Sequence, residues 1–345
     1  MAQIDKPNLH FNTVLYTGAN KSVTGVGFQP DWVWIKERDA GYHSLFDALR
    51  GTTEVLSTNV TGAGHSVSDS LTSFDSDGFT LGADSSNYVG GSSQATASWN
   101  WKANGQGSSN TDGSTNTTYT SVNSTAGFSI STYAGTGSAA TIGHGLGAAP
   151  EVIIIKSTTH SENWVMYHKG LNSSGAGTYI YFTTAAAGGS GSNTSIFNNT
   201  APTSSVFTVN TDGVSNGSGK SYVAYCFKEK AGYSKFGTYT GNSNANGTFV
   251  YTGFKPAFVI VKISSTTGNW YMFDSARSTY NQTANILYPD LSNAEYTGTG
   301  NQMDILSNGF KLRSTNTDTN GGTHIYMAFA ENPIVGSNNI PAVGR

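Results

Sequence analysis

The chain has 345 residues, of which only 11% are charged, with a net charge of −3, 42 glycines and one cysteine. Charge at less than half the usual ~25%, with no basic cluster, excludes an electrostatic footprint for nucleic acid. Disorder is excluded as well, because 17 Phe, 18 Tyr and 6 Trp are spread along the whole length and supply the apolar surface that a disordered chain lacks.

In chain order, the opening Met-Ala-Gln-Ile-Asp-Lys has no apolar core, so no signal peptide is expected. Residues 1–13 read as an N-terminal arm of the kind that frays or tethers a neighbour. Then comes a pattern that recurs three times: a proline, an apolar run, and a lysine six positions on. It reads Pro30-Asp-Trp-Val-Trp-Ile-Lys36, Pro150-Glu-Val-Ile-Ile-Ile-Lys156 and Pro256-Ala-Phe-Val-Ile-Val-Lys262. Self-similarity at a long period sets the architecture before any single residue does.

The match extends outward. A Tyr-containing strand precedes each proline (Tyr16, Tyr133, Tyr239), and Leu45-Phe-Asp47, Met166-Tyr-His168 and Met272-Phe-Asp274 follow. The proline-to-Asp/His spacing is one residue shorter in the first copy than in the other two. Each copy then has a turn (Asp77-Gly78, Asp212-Gly213, Asn308-Gly309) and an aromatic strand (97–101, 223–227, 326–329). For tight hairpin turns, Asp-Gly and Asn-Gly predict positive φ at both central residues.

Short β-branched runs bounded by Gly and Pro predict strands covered on both faces. Trp32 and Trp34 share one face, with Phe258 and Ile260 in the same places in the third copy. Val33/Ile35, Ile153/Ile155 and Val259/Val261 face the other way, and Lys36, Lys156 and Lys262 are expected to lead out to solvent. Dense turn signals predict an all-β fold of three homologous repeats, each a β-sandwich-like unit packed in tandem. One pseudo-threefold β fold is the alternative. The divisions expected are repeat 1 over 14–103, a polar linker over 104–126, repeat 2 over 127–231, repeat 3 over 232–333 and a tail over 334–345.

Few residues carry chemistry. Asn216-Gly-Ser-Gly-Lys-Ser221 ends like a phosphate-binding loop, but Val214 stands where the first glycine is required and a strand follows, so it reads as a hairpin turn. Asp75-Ser-Asp77-Gly78 resembles half of a calcium loop without its later ligands. The seven histidines lack metal-ligand spacing, and Cys226 reads as a buried, inert thiol. Neither a cofactor nor a metal is expected, and no catalytic residue. No window approaches the ~18 apolar residues of a membrane span.

The candidate contacts for a glycan or receptor are Trp164 and Trp270, which follow polar loops, and the pairs Asp47/Arg50 and Asp274/Arg277. The copy-two equivalents of those pairs are His168 and Leu171. The competing reading makes each pair a surface ion pair pinning a turn, worth ~0–1 kcal/mol.

Several phrases together resemble a known family: Gly27-Phe-Gln-Pro-Asp-Trp-Val-Trp-Ile-Lys36, Ser73-Phe-Asp-Ser-Asp-Gly-Phe-Thr-Leu-Gly82, Trp101-Lys-Ala-Asn-Gly105, Gly143-His-Gly-Leu-Gly-Ala-Ala-Pro150 and Met327-Ala-Phe-Ala-Glu-Asn-Pro333. They resemble the repeated β domain of virion and tail-associated proteins of tailed bacteriophages, marine and cyanobacterial ones especially, over about Phe11 to Pro333. The resemblance implies a particle component, expected to be non-enzymatic, and the lack of a signal peptide implies one made in the host cytoplasm and released by lysis. The leading expectation is a tail fibre or appendage subunit contributing to host-surface attachment. Its implied partners are other virion proteins, copies of itself (a trimer for a fibre) and host cell-surface glycan. A capsid decoration or head-fibre protein is one alternative, and a glycan-binding or glycan-cleaving (depolymerase) module is the other.

Overall fold

The computed structural model describes residues 3–91, 93–172, 177–189 and 194–332, with the backbone of Ile334–Val335 and Pro341–Ala342. The expected tail over 334–345 lies otherwise outside the described residues. The chain is all-β, its strands pairing antiparallel. The two α-helices described, Thr194–Phe197 and Thr317–Asn320, are single turns.

Three large sheets dominate. The first runs in the order Phe11–Thr17, Ala95–Trp101, Trp32–Glu37, His43–Asp47, Gly51–Ser57, His65–Ser66. The second runs Tyr119–Asn123, Phe128–Ala134, Ser221–Phe227, Val152–Ser157, Val165–His168, Ile180–Tyr181. The third runs Ser234–Thr240, Thr323–Ala330, Pro256–Ile263, Trp270–Asp274. In each, the strand after the repeated proline lies between the closing aromatic strand and the next hairpin arm. Both of its faces are buried, which is what a continuous apolar run requires.

Period-two alternation sends those faces to different cores. Val33 and Ile35, Ile153 and Ile155, and Val259 and Val261 pack inside their own unit, beneath a smaller sheet. The smaller sheets are built on Lys21–Thr24, Ala140–Gly143 and Phe249–Tyr251. Trp32 and Trp34, Val152 and Ile154, and Phe258 and Ile260 instead enter one shared core fed by all three large sheets. Each large sheet thus covers a local core on one face and contributes to a common centre on the other, so the fold is all-β and sandwich-like.

All six tryptophans belong to that centre and are buried. An indole buries about 150–250 Å², or roughly 4–6 kcal/mol as an upper bound at ~25 cal/mol per Å².

The units meet at three equivalent seams, each an exchange of two backbone hydrogen bonds. Glu162 N donates to Thr61 O (2.9 Å) and Gly64 N to Thr158 O (2.8 Å). Gly268 N donates to Ala185 O (2.9 Å) and Gly188 N to Ser264 O (3.0 Å). Gly41 N donates to Ser292 O (2.8 Å) and Glu295 N to Arg38 O (2.7 Å). In every seam the accepting carbonyl on one side is the second residue after the repeated lysine. The third seam joins the last unit to the first, so the arrangement closes on itself.

The lysines do not lead to solvent. Lys36, Lys156 and Lys262 are buried, and each ammonium is capped by two carbonyls: Glu37 and Asp39 (2.5 and 2.6 Å), Thr61 and Glu162 (3.0 Å each), Ala185 and Ile263 (3.2 and 2.7 Å). Oxygens of the seam loops take the place of water. Desolvation still pushes each pKa down to about 8.

Two segments differ from their expected roles. The arm is docked: Ile4 N donates to Ala231 O (3.0 Å), and Phe11 already lies in the shared core, its ring 5.3 Å from that of Phe329. The polar stretch 104–126 is no linker, because Tyr119–Asn123 is the edge strand of the second large sheet and Thr115 bridges to Ile142. Its hydroxyls bond to backbone (Ser109 Oγ to Thr117 O, 2.6 Å), so polarity here marks satisfied packing.

The turns also differ. The hairpins turn at Ser76-Asp77 and Ser307-Asn308, none of which has positive φ. Gly78 does take a positive φ of 150°, and both glycines are needed for close approach: a Cβ on Gly78 would lie 2.0 Å from Val23 O, and one on Gly309 2.1 Å from Val250 O. Asp212-Gly213 joins no hairpin, and Asn216 N donates to Asp212 O across that turn (2.8 Å).

Candidate functional site

The residues singled out from the sequence converge on the inside of the molecule. Asp47 and Asp274 are buried, and the Arg50 and Arg277 side chains are 7% and 0% exposed. Nε to Oδ2 is 2.6 Å in both pairs. They are buried ion pairs and not surface ones, so neither is presented to a sugar. Burial works against the Arg50 charge, but Asp47 and Tyr225 outweigh it and hold its pKa above the ordinary value.

Each carboxylate also reaches into the next unit around the ring. Asp47 Oδ2 accepts from Tyr225 Oη (2.7 Å), and Asp274 Oδ2 accepts from Trp99 Nε1 (3.1 Å). Tyr225 pairs with Ile154 and Trp99 with Trp34, as Met327 pairs with Ile260. These three residues therefore hold equivalent places. Met327 has no side-chain hydrogen to donate, and in the place of Asp47 and Asp274 the second unit carries His168. Its Nε2 bonds to the Tyr326 carbonyl instead (3.2 Å), while Nδ1 accepts from Gly170 N (3.0 Å). Burial lowers the His168 pKa to about 4, so the imidazole is neutral and needs no arginine. Leu171 stands in that place.

Trp164 and Trp270 are also buried, contrary to their expected exposure. The polar loops before them fold over the seams, and each indole donates across one: Trp164 Nε1 to Ser57 O (2.9 Å) and Trp270 Nε1 to Tyr181 O (3.1 Å). His43 holds the equivalent place in the first unit, beside the Tyr288 backbone. Their own N–H groups donate to Asn59, Thr183 and Asp290, again equivalent to one another (3.0, 2.8 and 3.1 Å).

The weaker motifs are likewise committed internally. Asp77 accepts from Gly25 N and Gly27 N, and Asp75 from Ser73 Oγ and Thr80 Oγ1. Protein donors thus occupy the calcium-like carboxylates. Lys220 pairs with Glu162, and Cys226 is buried, its pKa raised by desolvation. Among the described residues no group of three or more His, Cys, Asp or Glu is placed to hold a metal, and no helix is long and apolar enough to cross a membrane.

Sequence reasoning missed an open feature at the third seam. A surface cleft of about 420 Å³ is lined by Gly41, Tyr42, Asn59, Val60 and the segment 290–293. Tyr42 is 43% exposed and stacks on Tyr88, ring centroids 5.4 Å apart at 20°. Tyr88 Oη in turn bonds His65 Nε2 (2.6 Å). The missing loop residue in copy one falls between Lys36 and His43, and that spacing was the available signal.

The family model described as Domain of unknown function (DUF7483) matches residues 6–333. No curated protein matches the chain.

Proposed function

We propose that the chain, which belongs to the DUF7483 family, is a non-enzymatic structural protein of a bacteriophage virion, a tail fibre or appendage subunit contributing to host-surface attachment. The observation that carries this reading is the use made of the ionisable residues. Both Asp–Arg pairs and two of the three repeated lysines, Lys156 and Lys262, are spent on joining units of one closed body. An exterior low in charge and rich in Asn, Ser, Thr and Gly suits tight packing against neighbouring subunits and contact with uncharged surfaces. The five phrases that resemble repeated phage tail domains supply the link to a virion. In this reading the partners are other virion proteins, further copies of the chain, and a host-cell glycan.

The test is cryo-electron microscopy of purified particles with this chain traced into density. Density at the tail in a few symmetric copies supports attachment. Density over the capsid in hundreds of copies makes the chain a decoration protein and overturns the attachment role.

A further inference from the structure

The third seam differs from the other two in a way that packing alone does not require. At the first two seams the residue before the buried tryptophan is Asn163 or Asn269, each partly buried. At the third, the shortened loop puts Tyr42 there instead. A large aromatic ring thus lines the cleft, stacked on Tyr88, which His65 contacts in turn.

The lining defines the ligand. With the ring, the cleft is lined by Ser292 and Asn293, both exposed, and by Asn59. Asn59 Oδ1 is used by His43 N (3.0 Å), and its Nδ2 makes no hydrogen bond among the described residues. Neither Lys nor Arg lines the cleft. Asp290 is 5% exposed, and its Oδ1 is bound to Trp270 N (3.1 Å). The available groups are thus an aromatic face, amides and a hydroxyl, without a cation to balance an anionic ligand. The volume lies near the lower end of the ~300–1,000 Å³ range of small-molecule sites.

We infer that this cleft binds a neutral saccharide, one hexose or N-acetylhexosamine ring stacking its C–H face on Tyr42 while Asn59, Ser292 and Asn293 meet its hydroxyls. An aromatic ring offers a large rigid contact with little entropy to lose, and the amides supply orientation. The inference rests on the attachment reading and names the chemistry that this surface would engage.

The experiment is saturation-transfer NMR on the intact chain, with neutral hexose and N-acetylhexosamine oligosaccharides as probes. Expected is transfer to the protons of one ring face, with affinity reduced about three- to tenfold in Tyr42→Ala and retained in Tyr42→Phe. Tyr280→Ala, at an exposed ring outside the cleft, should leave binding unchanged. Absence of transfer with every neutral probe, or binding indifferent to Tyr42→Ala, overturns the site. A parallel adsorption assay separates the two readings. Particles that lack the chain yet adsorb normally sink the attachment role, while saccharide binding by the purified chain still stands.

Discussion

Asp274 and Trp99 are 175 residues apart in the chain, yet the carboxylate accepts the indole N–H at 3.1 Å. The same carboxylate holds Arg277, whose guanidinium lies 5.5 Å from the Trp99 ring centroid and also bonds Glu295 (2.8 Å). Glu295 then pairs with Arg38 of the first unit. One run of charge-assisted bonds thus ties the last unit to the first, buried at Asp274 and Arg277 and reaching solvent at Arg38.

Removing Asp274 leaves the buried Arg277 with Glu295 as its remaining counterion and strips the Trp99 N–H of its acceptor. Asp274→Ala is expected to cost about 3–5 kcal/mol in equilibrium urea unfolding. A cycle with Trp99→Phe should show coupling of at least ~0.5 kcal/mol. Simple additivity of the two substitutions would mean that the indole bond contributes nothing of its own.

His168 tests why the second copy departs from the other two. His168→Asp restores the residue type of copies one and three, but the carboxylate would face the Tyr326 carbonyl with no arginine beside it. A loss on the order of 3 kcal/mol or more is expected, against about 1 kcal/mol for His168→Asn, which keeps a donor. The pH dependence follows from the lowered pKa. The unfolded chain binds a proton near 6.5 and the native imidazole only near 4. Stability from this residue therefore falls as pH drops from 6.5 towards 4, and His168→Asn should lack that component of the slope.

The lysines act on the alkaline side. Each has a native pKa of about 8 against an ordinary 10.5. Between those values the unfolded state holds the proton that the native state has released, so stability rises with pH. Above about 10, unfolding also ionises tyrosines such as Tyr133 and Tyr225, whose native pKa burial holds well above 10.0. Stability should therefore climb from pH 8 towards 10 and then decline. Urea midpoints measured from pH 7 to 11 trace this curve, and Lys156→Met should flatten its rise.

Trp164 and Trp270 are expected to act on folding. Truncation to Ala should cost about 3–5 kcal/mol and be visible as a lower midpoint in denaturant. If either variant unfolded at the wild-type midpoint yet lost binding to a saccharide probe, the buried role assigned to it would be wrong.

Much of each sandwich was legible because the period-two pattern of Trp32-Val-Trp-Ile and its counterparts specifies two buried faces. What covers the second face was not legible. The acceptors that Trp164 and Trp270 meet, on Ser57 and Tyr181, are backbone carbonyls, which leave no trace in residue identity. Lys36 read as exposed because charge ordinarily marks surface, and two carbonyls in the loop after it cancel that signal. The departure at His168 made sense only once Met327 was found in the place that Tyr225 and Trp99 hold in the other units. The Tyr42 cleft was half-visible, as a deletion whose location in the fold was unknown.

The third sheet has a consequence for how the molecule is made. Its strand Thr323–Ala330 lies between Ser234–Thr240 and Pro256–Ile263 and pairs with both, and it is the last of them to leave the ribosome. Until it emerges, those two strands have unfilled edges, and Trp99 and Trp101 lack the wall that Met327 and Phe329 provide. A nascent chain stopped short of residue 323 would therefore hold its most aromatic surface open, which favours association between neighbouring chains on a polysome. Completion of one strand closes that window.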